Sequence, residues 1–149
     1  MINFLRLHSK DFTMAMTAFY ERFRDVASKE MRAVIVSAGT PIPADEYGFV
    51  EFFCADKSCD CRRVSLQVVG QLSGAKIWAT ISYGWESERF YRKLAGEGWS
   101  RPILDPFNPQ SAYSAFFLNV FEDMIRDKAY VDRLKRHYKM FRSFQPAAG

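Results

Sequence analysis

The sequence contains no apolar run approaching the roughly 20 residues that a membrane-crossing helix requires. Its start, Met1 to Lys10, holds too short an apolar stretch for a secretory leader and no small-residue cleavage site. The expected setting is therefore a soluble protein of the cytoplasm, where thiols stay reduced. Cysteine is scarce, with three residues, and the odd number argues against a disulfide framework. Histidine occurs only at His8 and His137. The chain has no internal repeat, no low-complexity tract and no clear linker between domains. It also lacks a glycine-rich phosphate loop, a Ser-His-Asp order and a paired acid–base signature, so no common catalytic set is recognisable. Charge of neither sign dominates. The net value of +4 permits an acidic partner or nucleic acid and demands neither.

What is present fits one domain over residues 1–149, long enough to build a core without staples. Phenylalanine alone supplies 14 positions, which points to a dense aromatic core or an aromatic-lined pocket.

The first periodic segment reads as a helix. Phe12, Met16, Phe19, Phe23 and Val26 form one stripe at helical spacing, and Ser9 or Asp11 would cap its start. That helix extends to about Val36, unless Val34 to Val36 is a short strand. Pro41 and Pro43, with Gly39, end it in either case. Three strands follow, at Tyr47 to Cys54, Arg63 to Val69 and Lys76 to Tyr83. Val64, Leu66 and Val68 alternate with Ser65 and Gln67, placing the latter pair on the opposite face. Gly70 to Gly74 reads as a turn, and the short connections imply an antiparallel three-stranded meander.

Glu86 to Leu94 is a short helix, and the Gly- and Pro-rich stretch from Gly96 to Gln110 is a loop long enough to be functional. Ser111 caps a helix with its stripe at Tyr113, Phe117, Val120, Phe121 and Met124. Asp127 caps the last helix, whose stripe is Val131, Leu134, Tyr138 and Phe141. The expected class is α+β, a small antiparallel meander packed with about four helices.

Chemistry concentrates at Cys54, Cys59 and Cys61, in the spacing C-x4-C-x-C. Soft thiolates this close together suit zinc, which takes four tetrahedral ligands. Candidates for the fourth are His137, on the last helix, and Asp56 and Asp60 within the segment. Water in that position would leave the site open. The same spacing also suits small buried thiols without metal, or a redox pair whose thiol an Arg62 or Arg63 guanidinium acidifies. His137 has a plainer reading as a hydrogen-bonded structural histidine.

Two further features carry weaker signals. Tyr83, Trp85, Glu86 and Tyr91 surround Gly84, where another group can approach the backbone closely, and they are candidates to line a pocket. Glu86 at a helix start and Trp85 in the core is the alternative reading. Lys128, Lys135, Lys139 and Arg142 form a basic edge on the last helix. It reads as a solvated face or as a phosphate-tracking stripe.

Four segments resemble a group of uncharacterised bacterial proteins. They are Glu51-Phe-Phe-Cys54 with Cys59-Asp-Cys-Arg-Arg-Val64, Ala79-Thr-Ile-Ser-Tyr-Gly-Trp85, Leu104-Asp-Pro106 and Arg136-His-Tyr138. The resemblance spans Tyr47 to Tyr138 and implies bacterial origin without an activity. Some similar proteins carry a separate cysteine-rich zinc tail, which these 149 residues lack.

The leading expectation is a structural zinc site at Cys54, Cys59, Cys61 and His137 in a module that binds a partner protein. A metal-dependent enzyme with an open zinc position is the alternative, with Glu86, Asp56 or Asp60 as general base. A nucleic-acid binder using the last helix is the third.

Overall fold

A computed structural model describes residues 16–147. His8, Ser9, Asp11 and Phe12 lie outside the described residues. The structure is mixed α+β. Its sheet has six strands rather than the expected three, and five helices occur among the described residues.

The centre of the sheet is the part that alternation made visible. Strand β3 (Asp45–Cys54), β4 (Arg63–Gly70) and β5 (Ile77–Gly84) are antiparallel neighbours, with Glu51 opposite Leu66 and Leu66 opposite Ile81. Two short strands lengthen the free edge of β3. Met16–Ala18 (β1) pairs with its end and Ala33–Val36 (β2) with its beginning, so they lie end to end along one edge. The far edge is Ile103–Leu104 (β6), paired with β5 from within the loop.

The expected long first helix is corrected here. Met16 belongs to a strand because the open edge of β3 offers three partners, at Phe52 to Cys54, and ladder pairing outweighs helical periodicity. Two short helices follow, Phe19–Arg22 (α1) and Arg24–Glu30 (α2), broken at Phe23 by a non-helical backbone. The aromatic spacing still matters locally. Phe19 and Phe23 stack with centroids 5.1 Å apart.

Helix α3 is Glu88–Leu94, with Ser87 as N-cap accepting from Phe90 N–H. Helix α4 is Ser114–Met124 and α5 is Lys128–Arg142. Asp127 caps α5 as expected, accepting from Ala129 N–H. Ser111 does not cap α4. It lies before the cap residue, Tyr113, where it accepts from Tyr113 N–H and donates to the Trp78 carbonyl.

Helices α4 and α5 cover one face of the sheet. Phe121 packs on Phe49 and Tyr83, Phe117 on Tyr47, and Phe141 on Phe53. The other face is also buried. Phe52, Ser65 and Gln67 are each 5% exposed or less, so polarity at alternate positions of β4 does not mark a solvent face. Among the described residues no helix is long and apolar enough to cross a membrane.

Candidate metal centre

The three cysteines meet at the turn between β3 and β4. Cys54 ends β3, and the chain folds back at once. Asp56 accepts from both the amide and the hydroxyl of Ser58, an Asx turn, and Cys59 N–H closes on the Asp56 carbonyl at 3.1 Å. Arg62 has φ +47°, a left-handed conformation unusual for a side-chain-bearing residue. Two tyrosines hold it there. Arg62 N–H donates to Tyr138 and its carbonyl accepts from Tyr91, at 3.2 and 2.6 Å. That bend sets Cys61 back toward Cys54. Gly84 leaves the room for it, because a Cβ there would run into the Tyr91 phenol and lie 2.7 Å from Arg63 Nη1.

A single guanidinium organises the rest of the turn. Arg142, in the last turn of α5, donates to the carbonyls of Cys54, Asp56 and Lys57 at 3.3, 2.6 and 3.2 Å, and to that of Cys59. Lysine would supply one point of charge where arginine supplies a planar fork. Were an ion held by the three thiols, Arg142→Lys would weaken its binding by about 10- to 100-fold, the usual cost of losing an outer-shell partner, as read by competition with a chromogenic chelator. Unchanged affinity would show that the turn holds itself.

The thiols of Cys54, Cys59 and Cys61 lie within 4.8 Å of one another. A tetrahedral zinc with bonds of about 2.3 Å sets its sulfurs about 3.8 Å apart, so the donors need little movement to fit one ion. All three are free thiols. Burial raises the Cys54 thiol above its ordinary range, and burial followed by the neighbouring Cys59 pushes Cys61 up to about 12. Thiols held neutral in this way are poor nucleophiles. A bound dication is what would carry them as thiolates.

The other expected ligands do not join the group. His137 is buried in the core, stacked on Phe19 at 4.3 Å. Its Nδ1 is 2.7 Å from Glu51 Oε1 and its Nε2 is 3.4 Å from Glu30 Oε1. Both nitrogens are thus taken, and His137 ties β3, α2 and α5 together as a structural histidine. Asp56 makes the Asx turn, and Asp60 pairs with Arg62 at 2.9 Å. Among the described residues the group holds three donors.

The thiols line a cleft of about 500 Å³ on the face of the sheet opposite α4 and α5. Arg63, Ser65 and Ser82 form its polar floor, and Asp105 and Asn108 enter from the long loop. Of these, Arg63 was expected beside the thiols and the loop of Asp105 and Asn108 was expected to be functional, whereas Ser65 and Ser82 were not singled out. The usable signal was polarity at alternate positions of β4 and β5. The expected pocket residues scatter instead. Trp85 and Glu86 border a separate surface cleft, Tyr83 packs on Phe121, and Tyr91 is buried with its hydroxyl on Arg62.

Two of the four cations on the basic edge of α5 are engaged within the protein, while Lys135 and Lys139 border the surface cleft beside Trp85 and Glu86. Lys128 pairs with Asp132 at 2.6 Å and Arg142 holds the cysteine turn. Arg136, beside that edge, pairs with Glu30 at 2.5 Å. Comparison of the chain with protein-family models, curated proteins and solved structures gives no match.

Proposed function

We propose that the protein binds zinc through Cys54, Cys59 and Cys61, with the fourth coordination position open to the adjacent cleft, where it meets a ligand. The observation that carries this reading is that three mutually close thiols line a cleft. Closed structural zinc sites have four protein ligands, whereas sites that act on a ligand have three and an open position. Bound zinc would also staple β3 to β4, so one ion serves both the hairpin and the cleft. Its chemistry there is that of a Lewis acid toward an oxygen or nitrogen donor. Asp105 is the carboxylate that lines the cleft, whereas Asp56, Asp60 and Glu86 do not. The partner-protein and nucleic-acid expectations draw no support from this geometry.

Cobalt substitution tests the reading. One Co(II) per chain should give thiolate-to-cobalt charge-transfer absorption and tetrahedral bands, and added azide should shift those bands by entering the open position. Bands that ignore azide would identify a closed site.

A further inference from the structure

The floor of the cleft holds groups that the metal would not use. Ser65 and Ser82 are directly opposite each other in β4 and β5, and Arg63 precedes Ser65 by one alternation on the same face. Arg63 is half-buried, with its guanidinium 4.9 Å from the Trp99 ring and 5.1 Å from that of Tyr91. It donates to Ser82 Oγ at 2.6 Å and to the Trp99 carbonyl, which leaves the remainder of its five N–H groups. Among the described residues it forms no ion pair within 4.0 Å. Ser65 is 4% exposed, and its hydroxyl is buried with no hydrogen-bond partner among the described residues. Buried hydroxyls are nearly always satisfied, so an orphan one lining a cleft marks the place of a missing acceptor.

Ser82 uses its oxygen to accept from Arg63, which frees its own O–H to donate. Three residues with donors to give therefore line the same cleft, two with hydroxyls and one with a guanidinium, and an oxyanion is the ligand that suits all of them. Asp105, on the loop side, makes no ion pair with Arg63 within 4.0 Å, although its charge acts on that guanidinium. Its oxygens accept from Phe107 N–H and Asn108 Nδ2 at 2.9 and 2.7 Å. Besides the thiols and Asn108, the lining is apolar, from Met16, Val64 and Phe107. Met16 borders the cleft, and Phe107 stands at it 88% exposed, an aromatic ring that nothing among the described residues covers.

We propose that the cleft binds a small organic acid, its carboxylate or phosphate group on Arg63, Ser65 and Ser82 and its apolar body between Met16 and Phe107. The anion subsite deepens the metal reading and shares its cleft, but its donors are separate from the thiols.

Titration calorimetry with benzoate, phenyl phosphate and the neutral benzamide tests it, on chelated and on zinc-loaded protein with metal content measured in each sample. Benzoate or phenyl phosphate should bind both forms, at least tenfold more tightly than benzamide, and the tighter of the two names the acid group. Ser65→Ala should weaken that binding about tenfold, the scale of a hydrogen bond to a charged group, without lowering the melting temperature, because it removes an unpaired hydroxyl. Arg63→Met should abolish it. Benzamide binding equal to benzoate, or full affinity in Ser65→Ala, would overturn the proposal. So would binding seen only with zinc and indifferent to Ser65, since the anion would then sit on the metal alone. Zinc uptake without anion binding overturns this inference and spares the metal site. Anion binding without zinc uptake does the reverse.

Discussion

Stripping zinc from the loaded protein should lower its melting temperature by about 10 °C. A ligand that binds only the folded state stabilises it by about 4 kcal/mol when its free concentration is about 1,000 times Kd. In a domain of this size each kcal/mol moves the midpoint by roughly 2–4 °C. The chain is long enough to keep a core without the ion, so the chelated protein should still unfold cooperatively at the lower temperature. Cys54→Ser, Cys59→Ser and Cys61→Ser should each remove the difference between chelated and loaded samples in a calorimetric scan. A wild-type midpoint that does not respond to chelation would remove zinc from the account of stability.

The second large effect belongs to the core, away from the thiols. Glu51 is buried, and burial raises its carboxyl above the ordinary range, against the pull of the His137 hydrogen bond. Glu51→Ala leaves His137 Nδ1 buried without its partner, and breaking a buried pair on one side costs about 3–5 kcal/mol. Glu51→Gln keeps a group able to accept from or donate to Nδ1, so its cost should stay within about 1.5 kcal/mol. Urea unfolding distinguishes the two, and equal losses would mean that the hydrogen bond is unimportant.

The pH dependence has a definite sign. A carboxyl raised in the folded state stabilises most below its unfolded value near 4.5, and that contribution is lost as pH rises through the folded value. Glu51→Gln should therefore gain on the wild type with rising pH. Glu30, at the other nitrogen of His137, behaves oppositely. Its hydrogen bond from Arg136 lowers it to about 2, so its contribution is present above pH 4.5 and lost as pH falls toward 2.

Local features were legible in the sequence. The strands from Tyr47, Arg63 and Lys76 show because alternation and β-branching are properties of adjacent residues. The cysteine cluster shows for the same reason, since one tight turn suffices to gather residues spaced within a single loop. Met16 misled because its fate depends on the distant edge of β3 and not on its own neighbours. Arg142 read as one more cation on a helix edge, yet its partners are the carbonyls of a turn more than 80 residues earlier in the chain. The role of His137 likewise rests on Glu51, 86 residues away. Alternation put Ser65 and Gln67 on the face opposite Val64 and Leu66, but it tells only which residues share a face and not that this face is buried too.

The most direct test of the central claim is elemental analysis by mass spectrometry of the protein purified without a histidine tag and dialysed against zinc. About one zinc per wild-type chain is expected, with loss of that zinc in Cys61→Ser. A chain without metal, with three thiols reacting freely on titration, would contradict it.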